Sequence, residues 1–470
     1  MFKVKSQKFM FFDDWPLEYS RGFTRKQGKP VRYESNPVLK PDLPHEGTRA
    51  SLYGTILHDE EADIYKMWYP AFSLVPKTRA TLCYAESKDG YNWVKPELDV
   101  VRGTNIVMGE EYEVRGQSII YDRDELNPDR RYKTANRPGH TPSIFTYISP
   151  DGIHWEILDK AAINANSDSH VGLIRHPETG LYMATMRKIK GDRRVWLSTS
   201  EDFENWTDPV LVKELPIEAS MQTQIYGMQL TYYGAYIMGV VSYYNTDEND
   251  LDGWGKMEGT MDIGMAYSRG GYCWQENYPT ERFINFSGKG NWDGQMIIPA
   301  SHIILNDDEM RFYYAGCDHT HKPPYGYQGL SIGAASLRPD GFVYLEADDE
   351  TAEFFTRIFA ISEPGFEINA DASDGEILVE LCDGEGKPIP GFEKENFIPT
   401  TKDGLRIPLE WKNNPDQSVL LDTAVRIKVW AKKAKIYSIT MINGETDPKY
   451  WKFREINYAD ILWSSHAHSE

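Results

Sequence analysis

One short string recurs along this chain, and it restricts the fold more than any bulk property does. SKDGYNW (Ser87 to Trp93), SPDGIHW (Ser149 to Trp155), SEDFENW (Ser200 to Trp206) and SRGGYCW (Ser268 to Trp274) share a Ser, an Asp or Gly two positions on, and a Trp six positions on. SLRPDGFVYL, from Ser336 to Leu345, is a degenerate fifth copy. Each copy follows an alternating run, such as ATLCYAES or PSIFTYIS. A turn of this kind leading into an aromatic strand is a hairpin signature. Two further strand patterns precede each hairpin, as in SLYGTILHD with IYKMWYPAF, or IYGMQLTYY with AYIMGVVSYY. Units of four strands recurring every ~50–70 residues predict an all-β chain built as a five-bladed β-propeller.

The texture changes after Asp349. GFEINADASDGEILVELCDGEGKPIPGF and AVRIKVWAKKAKIYSITM alternate as antiparallel strands do, with Pro388 and Pro390 where a loop or edge tolerates them. The predicted organisation is a propeller over 1–349, a small C-terminal antiparallel β-sandwich over 350–445, and an aromatic tail over 446–470 that packs back on the propeller.

Charge narrows the partners. With 71 acidic against 51 basic residues the net charge is -20, a field that repels phosphate backbones and anionic lipid surfaces. Neither nucleic acid nor membrane is expected as a partner. The N-terminal stretch has no apolar core of signal-peptide type, which points to the cytoplasm. Cys83, Cys273, Cys317 and Cys382 stand singly, with no CxxC pair, so no zinc cluster or disulfide framework is expected. The 29 Tyr and 13 Trp favour strands, and their flat faces stack on sugar rings.

At SLYGTILHDEEADIYKMWY, CYAESKDGYNWVKPEL, IYGMQLTYY and MRFYYAGCD the chain resembles bacterial proteins grouped with the glycoside hydrolase family 32 and 43 five-bladed propellers. GEILVELCDGEGKPIPGF and KIYSITM resemble the small sandwich those proteins carry. The resemblance implies a glycosidase scaffold acting on an oligosaccharide, furanosides included. Those families place Asp, Asp and Glu on the innermost strands of their first three blades. Here the corresponding places fall near Ser51 or Leu52, Gly116, and Ser169 or His170, and no Trp-Met-Asn-Asp-Pro string occurs. The scaffold carries over, while the catalytic set has moved or been lost.

Propeller geometry then locates the site. One face collects the starts of innermost strands, the ends of second strands and the starts of third strands. The Trp-terminated hairpins fall opposite, which makes Asp89, Asp151 and Asp202 turn formers. Glycoside hydrolysis needs one carboxylic acid and one carboxylate flanking the bond. Asp168 in NSDSH and Asp293 in NWDGQ are the first candidates, followed by Glu46, Asp262 and Asp318. Arg115, His170, Arg187, Gln224, Tyr226, Tyr243, Gln295 and His319 line the same face as candidate substrate-binding residues, beside Arg49 and Arg137. Arg187 with Arg115 would grip a sugar carboxylate in bidentate fashion. Trp254 and Trp292, in Gly-rich loops, are candidate stacking platforms, whereas Trp68 is a core residue. His170 and His319 read as hydrogen-bonded histidines, so neither metal nor cofactor is expected.

Two other readings fit the same residues. A non-catalytic carbohydrate-binding propeller would keep the aromatics and arginines without a carboxylate pair. A carbohydrate lyase or transferase would use Tyr226, Tyr243 or His170 as base beside an arginine. The C-terminal module is expected to be structural, or to join two copies of the chain into a homo-oligomer.

Overall fold

The computed structural model describes residues 8–72, 79–114, 116–139, 141–188, 193–217, 219–220, 222–246, 259–306, 308–321, 329–361, 365–421 and 423–442. Its regular elements are β-strands and short 3₁₀ turns. Among the described residues no helix is long and apolar enough to cross a membrane. The chain divides into two units, one of Pro30–Leu337 and one joining Met1–Lys29 to Arg338–Glu470.

Within the larger unit the strands form antiparallel meanders in sequence order. The first runs Thr55–Asp59, Ile64–Ala71, Thr81–Ser87, Ile106–Met108. The second runs Ile119–Tyr121, Tyr132–Asn136, Ile144–Ser149, Glu156–Ile163, and the third Gly172–Arg175, Tyr182–Met186, Val195–Ser200, Val210–Lys213. Thr223–Tyr233, Tyr236–Thr246 and Gly259–Ser268 form the next. A single parallel pair, Met261 with Met296, joins it to the last, which holds Met296–Pro299, Met310–Cys317, Ser331–Leu337 and Val31–Arg32.

Apolar layers lie between consecutive sheets. Trp68, Tyr84, Ile119 and Tyr147 pack between the first and second, Ile120, Ala135, Leu173 and Ala184 between the second and third, and Ile174, Leu197, Ile225 and Val241 between the third and fourth. The remaining layer unites Ile56, Met67 and Cys83 of the first sheet with Ile298, Ala315 and Ile332 of the last. Burial pushes the Cys83 thiol up to about 12, as expected of a packed, unreactive cysteine.

The first strands of the meanders meet through hydroxyls. Ser301 Oγ donates to the Gly54 carbonyl (2.8 Å), lies 2.9 Å from His170 Nε2, and accepts from Ser118 Oγ at 2.8 Å and Thr55 Oγ1 at 3.1 Å. Ser118 also lies 3.4 Å from Gln229 Oε1. Residues from the first strand of each meander, or from the turn beside it, therefore share one buried polar cluster.

The recurrent string has a local physical basis. The Ser87, Ser149, Ser200 and Ser268 hydroxyls each accept the backbone N–H three residues on, at 2.8–2.9 Å. Asp89, Asp151 and Asp202 each accept two successive N–H groups of the same turn. Gly90, Gly152, Phe203 and Gly271 take up positive φ at that point, between 68° and 80°. The Trp155, Trp206 and Trp274 indoles donate back to the carbonyl of this residue. In the first copy Tyr313 takes the Gly90 carbonyl instead.

The degenerate fifth copy folds differently from the sequence expectation. Its second half, Val343–Ala347, pairs with Phe23–Gln27 and Ala434–Ile442 in the smaller unit, and Val31–Arg32 takes the outer place beside Ser331–Leu337. Residues 8–27, counted with the propeller on sequence pattern, likewise pair within the smaller unit: Lys8–Met10 with Ala434–Ile442, and Leu17–Arg21 with Ala352–Thr356. Asp340, buried in a left-handed turn at φ 62°, explains the switch. It accepts from Lys8 Nζ at 2.8 Å and Ser438 Oγ at 2.6 Å, tying the turn to strands of that unit.

The smaller unit contains two antiparallel sheets that share one apolar layer of Phe9, Leu345, Ile368 and Ile436 from one sheet and Leu17, Phe354, Val379 and Val429 from the other. The tail over 446–470 lies outside the described residues.

Candidate functional site

Asp168 stands four residues before Gly172–Arg175, and Arg187 directly follows Tyr182–Met186, so adjacent strands of the third sheet deliver them to the same end. Arg187 Nη2 donates to Asp168 Oδ1, and Nη1 donates to the Tyr226 carbonyl at 3.2 Å. The guanidinium also lies 4.5 Å from the Tyr226 ring centroid. Arg187 is 4 % exposed, whereas the Asp168 side chain keeps 44 % of its accessible surface. Protein surrounds the Asp168 carboxyl on most sides, and this burial works to raise its pKa. Arg187 outweighs it, with Arg193 and Arg137 adding, and holds the carboxyl below its ordinary range.

Tyr226 is the hub of this cluster. Its ring stacks on Tyr53 (6.3 Å, 15°), meets Tyr244 edge-on at 5.8 Å, and its hydroxyl is 3.2 Å from His321 Nε2. Gln224, two residues earlier on the same strand, accepts from Arg193 Nη1. The Arg193 guanidinium lies 5.7 and 5.3 Å from the Tyr226 and Tyr244 ring centroids. Arg137 donates to the Thr141 carbonyl at 2.6 Å. His170 packs on Tyr53 at 5.6 Å but is buried on the axial hydroxyls, and burial pushes its pKa down to about 3, so it stays neutral. Thus Asp168, Arg187, Gln224 and Tyr226 come together, with His170 behind them.

The other carboxylate candidates sit in separate settings. Glu46 is fully buried. It accepts the Asp42 and Leu43 N–H groups at 2.8 Å and the Tyr69 hydroxyl at 2.5 Å, and pairs with Lys95 at 2.8 Å. Those donors make it a loop-capping group. Asp293, 1 % exposed, accepts from Arg32 (2.9 Å), Tyr314 (3.0 Å) and Ser287. Asp262 accepts from Arg282 at 2.6 Å and Asn245 at 2.9 Å, and burial raises its pKa against both. Opposite it, Tyr243 donates to Glu276 at 2.5 Å beneath the Arg282 guanidinium, 4.1 Å from the ring, which makes Tyr243 a packed residue.

Asp318 Oδ2 accepts the Gly290 N–H at 2.9 Å, while its Oδ1 is buried with no hydrogen-bond partner. Gln295 donates to the Asp318 carbonyl at 2.8 Å. Trp292 stacks on Tyr314 at 5.6 Å and 23°, so one of its faces is spent inside the fold. His319 is exposed beside them. Arg115 and Trp254 lie outside the described residues. Among the described residues no group of three or more His, Cys, Asp or Glu has the arrangement of a metal site.

Arg193, Tyr53, Tyr244 and His321 join the cluster without having been singled out from the sequence. Arg193 was legible: it stands two residues before a third strand, Val195–Ser200, close to the position class that selects Asp262. Tyr244 and His321 reach the cluster only through packing of one sheet against the next.

No protein-family model matches the chain. No curated protein sequence matches it either. Similar solved structures include a β-1,2-mannobiose phosphorylase from Listeria innocua, at 14 % identity and TM-score 0.47 over 66 % of this chain and 96 % of that one. An N-acetylgalactosamine deacetylase from F. plautii shares 14 % identity at TM-score 0.45 over 68 % and 97 %. An α-L-arabinofuranosidase from Podospora anserina shares 11 % identity at TM-score 0.41 over 68 % and 98 %.

Proposed function

We propose that this chain is a carbohydrate-active enzyme, a glycoside hydrolase working on an oligosaccharide at the mouth of a five-bladed propeller, with the smaller unit as an accessory sandwich. One observation carries the reading. Asp168 is a solvent-reachable carboxylate held ionised by a buried arginine that itself lies against the Tyr226 ring, at the end of the meanders where their first strands begin. An ionised carboxylate beside aromatic faces is what activation of water, or direct attack at a sugar carbon, requires.

The proton for the leaving oxygen needs a group shifted the other way; burial raises Asp262, but Arg282 and Asn245 hold it in a setting of its own, apart from the Asp168 cluster. In this reading Asp168 acts as base or nucleophile, Arg187 holds it ionised, and Tyr226 and Gln224 face the sugar.

One observation favours a second reading, a sugar-binding protein without turnover. Of the five carboxylate candidates, Glu46, Asp293 and Asp262 are buried and already bonded by internal donors. A panel of neutral and acidic oligosaccharides, incubated with and without inorganic phosphate, separates the readings. Hydrolysis by the wild type that Asp168→Asn abolishes is expected. Cleavage that depends on phosphate would make it a phosphorylase, and binding without cleavage would leave the non-catalytic reading.

A further inference from the structure

Arg193 is 8 % exposed, and its guanidinium donates to a neutral partner, Gln224 Oε1. The Tyr226 and Tyr244 rings lie beside it, 5.7 and 5.3 Å away. No carboxylate among the described residues forms an ion pair with it. Asp168 acts on it through space but is hydrogen-bonded to Arg187. Three buried guanidinium groups, Arg187, Arg193 and Arg137, therefore act on one carboxylate. A charge removed from water is costly unless an anion faces it, and aromatic faces repay only part of that cost.

Arg187 is not the spare cation. Its fork is committed to Asp168 and to the Tyr226 carbonyl, so the bidentate grip expected of it is already taken inside the protein. Arg193 keeps N–H groups beyond the one given to Gln224, and Gln224 anchors one end of its guanidinium. The rest of the molecule opposes anions through a net charge of -20, so this local positive charge is set against the global field.

We propose that Arg193 receives an anionic group of the ligand, the carboxylate of an acidic sugar or a phosphate, through a planar two-point contact oriented by Gln224. The inference rests on the carbohydrate reading of the same site, and it names the ligand's charge. It requires no catalytic step from Arg193, which acts as a binding residue. Lysine would retain the charge and lose the planar fork.

Calorimetric titration of the full chain with galacturonate, galactose and inorganic phosphate tests this. Galacturonate is expected to bind about ten-fold or more tighter than galactose, and Arg193→Gln to remove that advantage, the loss typical of a charge-assisted contact. Phosphate binding with the same loss, and no preference for galacturonate, supports the contact and assigns the anion to phosphate. Gln224→Leu, which leaves Arg193 in place but unoriented, is expected to weaken anion binding in the same direction, and serves if Arg193→Gln does not fold.

Equal affinity for galacturonate, galactose and phosphate overturns the proposal, as does anion binding unchanged in folded Arg193→Gln. Turnover is scored separately. Cleavage of neutral oligosaccharides without anion binding sinks this inference and leaves the hydrolase reading standing, and anion binding without cleavage does the reverse.

Discussion

The Arg187 guanidinium lies 4.5 Å from the Tyr226 ring centroid while one of its N–H groups donates to Asp168. The cation is thereby held in a single orientation by a ring on one side and a carboxylate on the other. Asp168 in turn is kept ionised while part of its side chain stays open to solvent, the condition for reacting with a ligand that arrives from solvent.

Asp168→Asn is expected to lower turnover by about 10²-fold or more, the usual size of a lost acid–base group. The melting temperature should change little, because the side chain is 44 % exposed and its ion pair is screened by water. The Asp168 pKa is depressed, so the acid limb of the pH–rate profile should fall below the ordinary carboxylate range of about 4. Arg187→Gln should move that limb upward. A limb that does not move would remove Asp168 from the reaction.

His170 and His302 give a stability slope in acid. Burial pushes their pKa values down to about 3 and about 4. Between those values and about 6.5 the unfolded chain takes up protons that the folded chain refuses, so stability falls as pH falls through this window. Each histidine contributes about 1.4 kcal/mol per pH unit where it is protonated only in the unfolded state. Urea unfolding of His302→Asn from pH 7 to pH 4 should show a shallower loss than the wild type, and an identical slope would refute the assignment.

Lys133 Nζ is fully buried between Asp122 at 3.0 Å and Glu125 at 2.9 Å. Asp122 also accepts from Tyr182 and pairs with Arg175 at 3.1 Å. Asp122→Ala leaves Lys133 to Glu125 alone and Arg175 to Asp124 alone, and the loss of buried charge-assisted hydrogen bonds is expected to cost about 1.5–3 kcal/mol by urea denaturation. Burial opposes the Asp122 charge, but Tyr182, Lys133 and Arg175 keep its pKa below the ordinary value. Its contribution is therefore present above about pH 4 and is lost as pH drops through the lower folded value.

Two glycines at nearly equal φ separate backbone strain from crowding. Gly152 (φ 79°) would place a new Cβ 2.6 Å from the Trp68 ring, while Gly103 (φ 77°) has nothing within 4 Å. Gly103→Ala should cost about 1 kcal/mol from the left-handed conformation alone. Gly152→Ala should cost about 1–3 kcal/mol more through overpacking. Equal melting temperatures for the two variants would show that Trp68 yields freely.

Local pattern was enough for the strands and for the hairpin turns. Alternation marked Thr81–Ser87, Ile144–Ser149 and Val195–Ser200, and the Ser and Asp side chains bond amides two or three residues away in the same string. Such contacts involve no distant partner, so they are written in the sequence itself. The end of the sheets that gathers Asp168, Arg187, Gln224 and Tyr226 was legible for the same reason, since strand order and alternation decide which residues reach it.

Tertiary structure alone decided which carboxylates remain accessible. Glu46, Asp293 and Asp168 look alike as acidic residues ahead of strands, yet Lys95 and Tyr69, Arg32 and Tyr314, and Arg187 respectively come to them from other segments. The exchange of Val31–Arg32 for Val343–Ala347 at the sheet edge is of the same kind, because Lys8 and Ser438 hold Asp340 from far along the chain. A local pattern specifies which bonds a residue is able to make, and only packing brings the partner that makes one of them.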